Sequence, residues 1–198
     1  MAVVLKNTES VVSDGVKILV HGQSGAGKTW LNRTIKDNII ISAESGLLSL
    51  ADCKIPYIEV TSLADLQEAY LWSTKSDEAA KFETISLDSI SEIGEVVLSA
   101  EKAKSKDGRA AYGEANDIMA KMIRAFRDIK GKNVYMSAKT EKVQDEKGQM
   151  LYGPSMPGKT LTNKIAFWFD IVMALRVEQV EGKNVRMLMT YSDGFWQA

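Results

Sequence analysis

Lys28 and Thr29 close an eight-residue run, Gly22-Gln23-Ser24-Gly25-Ala26-Gly27-Lys28-Thr29, with the spacing of a phosphate-binding loop. Each residue type has a physical reason to be there. The glycines let successive backbone N–H groups turn inward to form an anion nest. A helix starting at Lys28, with Trp30 in its first turn, adds its N-terminal partial positive charge at the same point. Lys28 is placed to reach the β- and γ-phosphates, and the Thr29 hydroxyl to ligate Mg²⁺. A glycine-rich turn of no function is the competing reading. At ordinary residue frequencies it produces such a match in about one chain per hundred of this length. The apolar run Val16-Lys17-Ile18-Leu19-Val20 before the loop, and the helical stretch after it, lower that rate further.

A second group supports the first. Thr84-Ile85-Ser86-Leu87-Asp88 reads as a strand ending in a carboxylate, some sixty residues after the loop. Such an Asp holds Mg²⁺ through water beside a bound triphosphate. Taken together, the two motifs predict an ATP site with Mg²⁺ on Thr29 and Asp88.

The elements that must position these residues alternate. A helix is expected from about Lys28 to Asp37, a buried strand at Ile39-Ile40-Ile41 ending in Ser42-Ala43-Glu44-Ser45-Gly46, and a short helix over Leu47–Ala51. A strand at Tyr57–Val60 follows, then Thr61-Ser62 followed by Asp65 marks the start of a helix through Leu71-Trp72. Ser89 and Ser91 open a helix to about Lys104. Ala115, Ile118, Met119, Met122, Ile123, Phe126 and Ile129 recur at helical spacing within 110–130 and mark a core-facing helix. After the strand Asn133–Ala138, the polar stretch 140–162 is either a hairpin with a mobile loop or a single long loop. A short helix near 161–168 and the strands 170–177 and 184–191 complete the chain, the last two joined as an antiparallel hairpin. The fold class is therefore α/β, a mainly parallel sheet with helices on both faces, in one domain over 1–198. Residues 1–15, with Val3-Val4 and Val11-Val12, read as a leading strand or arm.

Bulk properties exclude several classes. A length of 198 residues suits one sizeable domain, and a net charge of −1 gives no overall field. The lone Cys53 forms no internal disulfide and fits a reducing, cytosolic setting. No apolar segment approaches a membrane span, and the N-terminal apolar run is too short for a signal peptide. With His21 as the single histidine, neither a histidine metal cluster nor a Ser-His-Asp triad is available. His21 is expected to pack or hydrogen-bond.

In this order of motifs the chain resembles the RecA-type ATPase core. More narrowly, it is similar to phage nucleotide-binding proteins of that superfamily that act as single-strand annealing recombinases. The residues that carry this likeness are Ser137-Ala138-Lys139, Asp145-Glu146-Lys147-Gly148, Pro157-Gly158-Lys159 and Phe169-Asp170. The resemblance implies that Glu44 positions the attacking water and that Lys139 senses the γ-phosphate, with Ser137 as a nearer alternative. Glu92 is a rival base, expected to point away within its helix. Two DNA-binding loops are implied at about 102–112 and 141–160. They carry Lys102, Lys104, Lys106, Arg109 and Tyr112 in the first, and Lys147, Tyr152 and Lys159 in the second.

Charge counting bears on this independently. Residues 101–164 hold 14 lysines and arginines against 8 acids, while the remainder hold 11 against 18. A near-neutral total thus conceals a basic segment of +6 beside −7. Cations tracking a backbone, with aromatic platforms between them, suit sequence-independent single-strand binding, and a solvated helix face is the ordinary alternative. One departure from the resemblance is that the last core strand, Val185-Arg186-Met187-Leu188-Met189-Thr190-Tyr191, lacks the lysine pair that reaches the neighbouring subunit's triphosphate in RecA. Lys183, Arg186 or Lys159 are the candidates to substitute. Trp30, Tyr135, Tyr191 and Trp196 are the candidate base-stacking residues. The chain stops at Ala198 without a polar tail, which leaves room for a further segment.

The expectation is a DNA-dependent ATPase of phage recombination, acting in the bacterial host cytoplasm as a homo-oligomeric ring or filament on single-stranded DNA. A single-stranded-DNA-binding protein is admitted as a further partner. The alternatives are a nucleotide-switch ATPase of a replication or packaging assembly, and a small-molecule or nucleotide kinase.

Overall fold

The computed structural model describes residues 5, 7, 14–44, 47–144 and 147–198, so nearly all of the leading arm, Ser45-Gly46 and the Asp145-Glu146 turn lie outside the described residues. Eight strands form the sheet: β1 (Lys17–Gly22), β2 (Asn38–Ser42), β3 (Tyr57–Glu59), β4 (Thr84–Asp88), β5 (Asn133–Gln144), β6 (Met150–Pro154), β7 (Ile171–Val180) and β8 (Lys183–Met189). Their order is β3-β2-β4-β5-β1-β7-β8, with β6 paired to the extended end of β5. The first five of these and β7 run parallel; β6 and β8 are antiparallel to β5 and β7. The 140–162 stretch is thus a hairpin at its start, and the terminal hairpin is present.

Strand order decides what meets at the site. β5 lies between β1 and β4, so its upper residues separate the Gly22–Thr29 loop from Asp88. Ser137 and Lys139 occupy that gap, paired in register with Val20 and Gly22.

Period-2 alternation sorts the strand residues into two environments. Leu19, Ile39, Ile41, Ile85, Leu87, Val134, Met136 and Ala138 join the main core, packed under the helices α1 (Leu63–Lys75), α2 (Ile90–Lys104), α3 (Gly108–Arg127) and α4 (Lys159–Ile165). On the opposite face Val20, Ala26, Tyr135 and Leu175 form a small cluster beneath the phosphate-loop segment, with Leu31 and Ile35 against it. Helical cover is therefore unequal. All four α-helices lie with the main core, and the loop face has a short 3₁₀ turn, Thr29–Thr34, where an α-helix to Asp37 was expected. Asn32 explains the difference, since its buried side chain bonds inward to the Thr29 carbonyl at 3.0 Å. The β-branched Thr34 and Ile35 follow, Ile35 N–H closes on Asn32 O, and Asp37 at φ 45° turns the chain into β2.

Between α2 and α3 the expected long loop is only Ser105-Lys106-Asp107. Asp107 caps α3 by accepting from Arg109 N–H at 2.9 Å. Three residues make the two helices antiparallel neighbours. Gly94 of α2 packs on Pro157, and Asn116 of α3 lies beside Gly158. From Gly94 to Lys104 the helix rises about 15 Å further at 1.5 Å per residue. The α2–α3 tip consequently projects beyond the sheet edge on which the phosphate loop opens. Among the described residues no helix is long and apolar enough to cross a membrane.

Candidate nucleotide site

The loop after β1 has Gly25 at φ +77° and Gly27 at φ +107°, the left-handed backbone that turns N–H groups into one concavity. A cavity of about 340 Å³ opens there, lined by Ser24, Gly25, Gly27, Lys28, Thr29, Trp30, Glu44, Ser49, Lys139 and Arg186. Three residues named for catalysis (Lys28, Glu44, Lys139), far apart in sequence, thus share one wall with the loop. Gly22 and Ala26 face inward; the carbonyls of Gly22 and Gln23 accept from Lys28 Nζ at 2.9 and 3.1 Å. Burial pulls the Lys28 ammonium below the usual lysine range; Glu44 and Asp88 oppose that shift, and Lys139 adds to it.

Asp88 sits at the end of β4 with 1% of its surface exposed. Its carboxylate accepts from the Ser137 hydroxyl, from Asn32 Nδ2 at 3.5 Å and from the Thr29 side chain. Burial pushes the Asp88 carboxyl up, and the Ser137 and Thr29 hydrogen bonds hold it back. The two oxygen groups expected on Mg²⁺ are therefore already in contact. No cluster of three metal-ligating His, Cys, Asp or Glu side chains occurs among the described residues. One hydroxyl and one carboxylate beside a phosphate nest is the donor set that Mg²⁺ takes when phosphates complete its shell. The residues present fit ATP with Mg²⁺.

Glu44 extends from just beyond β2, where Ser42 Oγ accepts its backbone N–H at 3.1 Å and donates to Asp88 O at 2.7 Å. Ser89 Oγ donates to Glu44 Oε1 at 2.7 Å while accepting Glu92 N–H as the cap of α2. Glu92 itself is not part of the cavity wall; it forms an ion pair with Lys139. Ser137, fully buried against Asp88, is a brace for that carboxylate, which leaves Lys139 as the β5 residue on the cavity. Sequence reasoning missed several supports. Ser89, expected to open a helix, also fixes Glu44, and Asn32 belongs to no motif. Tyr135, a candidate for base stacking, is 4% exposed and donates to the Lys28 carbonyl at 2.9 Å from beneath the loop. Burial raises its phenol well above the ordinary range. Trp196 is enclosed between Tyr152, His21 and Arg176, so of the four aromatics only Trp30 lines the cavity.

His21 packs as expected. Nδ1 lies 2.8 Å from Thr140 Oγ1 and Nε2 2.6 Å from Gln197 O, an arrangement that suits a neutral ring donating from Nε2. Burial lowers its pKa to about 4.

The residues named for DNA contact lie in unlike settings. Lys102 lies over the Tyr112 ring at 4.8 Å, Lys104 pairs with Glu101 at 2.6 Å, and Lys106 and Arg109 are exposed at the projecting tip. Lys147 is exposed beside the β5–β6 turn, and Lys159 begins α4. Tyr152 is stacked on Trp196 at 4.5 Å with Lys142 over it, so its ring belongs to an internal cluster and is not an open platform.

Residues 14–198 match the AAA domain family. No curated protein matches. Among 377 matching chains of solved structures is the KaiC-like protein PH0186 of the hyperthermophilic archaeon Pyrococcus horikoshii OT3, at a TM-score of 0.51 and 14% identity. That match covers 90% of this chain and 79% of the other. The likeness is one of fold. A match over nearly the whole chain, together with the site just described, makes this protein a member of the AAA domain family of P-loop ATPases.

Proposed function

We propose that this chain hydrolyses ATP and uses that cycle to control binding to single-stranded DNA, promoting annealing or strand exchange in phage recombination as a homo-oligomer. The observation that carries the reading is the position of Lys139. Its side chain enters the nucleotide cavity, while its backbone is bonded to Ser91 Oγ (2.8 Å) and to Ser155 N–H (2.7 Å) at the root of the β5–β6 hairpin. Ser91 also donates to Ser155 O at 2.7 Å, so the first turn of α2, the hairpin and the cavity wall are joined at one point. A γ-phosphate that draws Lys139 from Glu92 shifts the base of two elements carrying the basic segment.

Bound Mg²⁺ supplies charge neutralisation across the phosphates. Thr29 and, through water, Asp88 would hold it, Lys28 would offset charge developing at the γ-phosphate, and Glu44, fixed by Ser89, would orient water for in-line attack. Lys102, Lys106, Arg109 and Lys147 then meet a nucleic-acid backbone by charge alone, so affinity falls with salt.

Phosphate release is measured for wild type and Glu44→Gln, with and without an oligo-dT strand. Stimulation by DNA, lost by about 10²-fold or more in Glu44→Gln with nucleotide binding retained, supports the reading. An unchanged rate with DNA, together with phosphoryl transfer to a small acceptor, returns the protein to the kinases.

A further inference from the structure

Arg186 is the charged residue of the cavity that the ATPase reading does not yet use. It lies on β8, and three features fix where it points. The β7–β8 turn is only two residues, Glu181 at φ 51° and Gly182 at φ 77°, both left-handed, as in the tight hairpin turns whose twist matches the strands. That turn sets Val180 opposite Lys183 and hence Val177 opposite Arg186 and Leu175 opposite Leu188. Leu175 belongs to the small cluster on the phosphate-loop face, so Arg186, two positions from Leu188, shares that face. A slip of one residue would turn it to the other side.

The side chain reaches the loop of its own chain. Arg186 Nε donates to Ala26 O at 2.9 Å, and its Nε lies 3.0 Å from where a Cβ on Gly27 would stand. Gly27 is thus needed twice, for its backbone conformation and for the approach of this guanidinium. Among the described residues no carboxylate forms an ion pair with Arg186. One donor of the five is spent on a carbonyl, and the remaining fork sits at the wall shared with Lys28 and Thr29.

We infer that Arg186 is a catalytic cation supplied in cis, contacting the terminal phosphates of the ATP bound to its own chain, in place of a cation from a neighbouring subunit. The inference rests on the proposed ATPase activity. In the step it serves, water oxygen bonds to the γ-phosphorus as the bond to the β–γ bridging oxygen breaks. The electron pair stays on ADP, the water proton passes to Glu44, and inorganic phosphate leaves. Arg186 neither gains nor loses a proton; it donates hydrogen bonds to oxygens that gain charge.

The test uses the full chain as Arg186→Ala and Arg186→Lys, mixed or not with an excess of Lys28→Ala chain. Arg186→Ala lowers kcat by about 10²–10³-fold, Arg186→Lys restores part of it, and added Lys28→Ala chain restores nothing. Recovery of activity in the mixture shows a cation arriving from a neighbour and overturns the assignment, as does an unchanged kcat in Arg186→Ala. Binding separates this from failure of the ATPase reading. Fluorescent ADP and a slowly hydrolysed ATP analogue are titrated into wild type and Arg186→Ala. Loss of triphosphate preference with ADP affinity kept supports a phosphate contact even in a chain that hydrolyses nothing. Equal weakening of both reduces Arg186 to a brace of the loop and overturns the inference.

Discussion

The two faces of the sheet are built from the same strands and solve opposite problems. On the helix face the alternating residues are Leu, Ile, Val and Met, closed by Phe126 and Met119 with no exposed surface to speak of. On the phosphate-loop face the intervening positions are Asn38, Ser42, Ser86, Asp88 and Ser137, all at 5% exposure or less. A buried polar layer costs stability unless every member is satisfied. Here Ser86 donates to Asn38 at 2.8 Å, Asn38 to Asn32 at 3.0 Å, Asn32 to Thr29, and Ser137 to Asp88. One face holds the fold together, and the other holds a carboxylate and a loop in fixed positions at the expense of apolar packing.

That contrast breaks most visibly at Phe126, which is fully buried and set edge-on to Tyr70 at 5.3 Å. Phe126→Ala should lower unfolding free energy by about 3–5 kcal/mol in denaturant titration. ATP turnover per folded molecule should stay at the wild-type value. A parallel loss of turnover at low temperature would show that the two faces are not separable.

At the upper rim of the helix face, His21 gives a pH signature. Its folded pKa of about 4 lies below the ordinary 6.5, so its contribution is complete above pH 6.5. It is lost as pH falls through that window toward 4, because the unfolded chain takes up the proton first. The full difference amounts to roughly 3 kcal/mol. His21→Gln should flatten the acid limb of stability against pH, read as the difference between the two proteins.

Asp88 should show the reverse exchange. Burial is the main influence on its carboxyl and raises it, so the charged form is the one the fold disfavours. Stability falls as pH rises through that raised value, and Asp88→Asn removes the dependence. Its unfolding midpoint should match or exceed wild type at pH 7, while Mg²⁺-dependent hydrolysis drops about 10²-fold, near 2.7 kcal/mol of transition-state stabilisation.

Much of this contrast was legible in the chain. Thr84-Ile85-Ser86-Leu87-Asp88 alternates polar and apolar over five residues, and its strand bounds match the structure. The phosphate loop, α2 with its Ser89 cap, and the terminal hairpin were equally plain, because local patterns encode them. What escaped depended on contacts between distant residues. Asn32 shortens its helix only because Thr29, Asn38 and Asp88 lie around it, and no pattern within 28–37 announces that. Asp107 caps α3 inside the stretch 102–112, where the resemblance implied a DNA-binding loop. Arg186 could be placed against the phosphate loop only once the two-residue turn fixed the hairpin register.

Ser86 offers the smallest and most discriminating effect. Its hydroxyl is fully buried and donates to Asn38 Oδ1, two links from the loop carbonyl of Thr29. Ser86→Ala leaves that acceptor without its donor, which should cost about 1 kcal/mol in chemical unfolding. Because Asn38 still donates to Asn32, the loop keeps its brace, and KM for ATP should remain near wild type. If KM rises while stability barely moves, the polar layer acts as one unit in placing the loop. In that event the loop face would be tuned by the whole network behind Asp88 rather than by Asn32 alone, and double-mutant coupling between Ser86 and Asn32 would measure by how much.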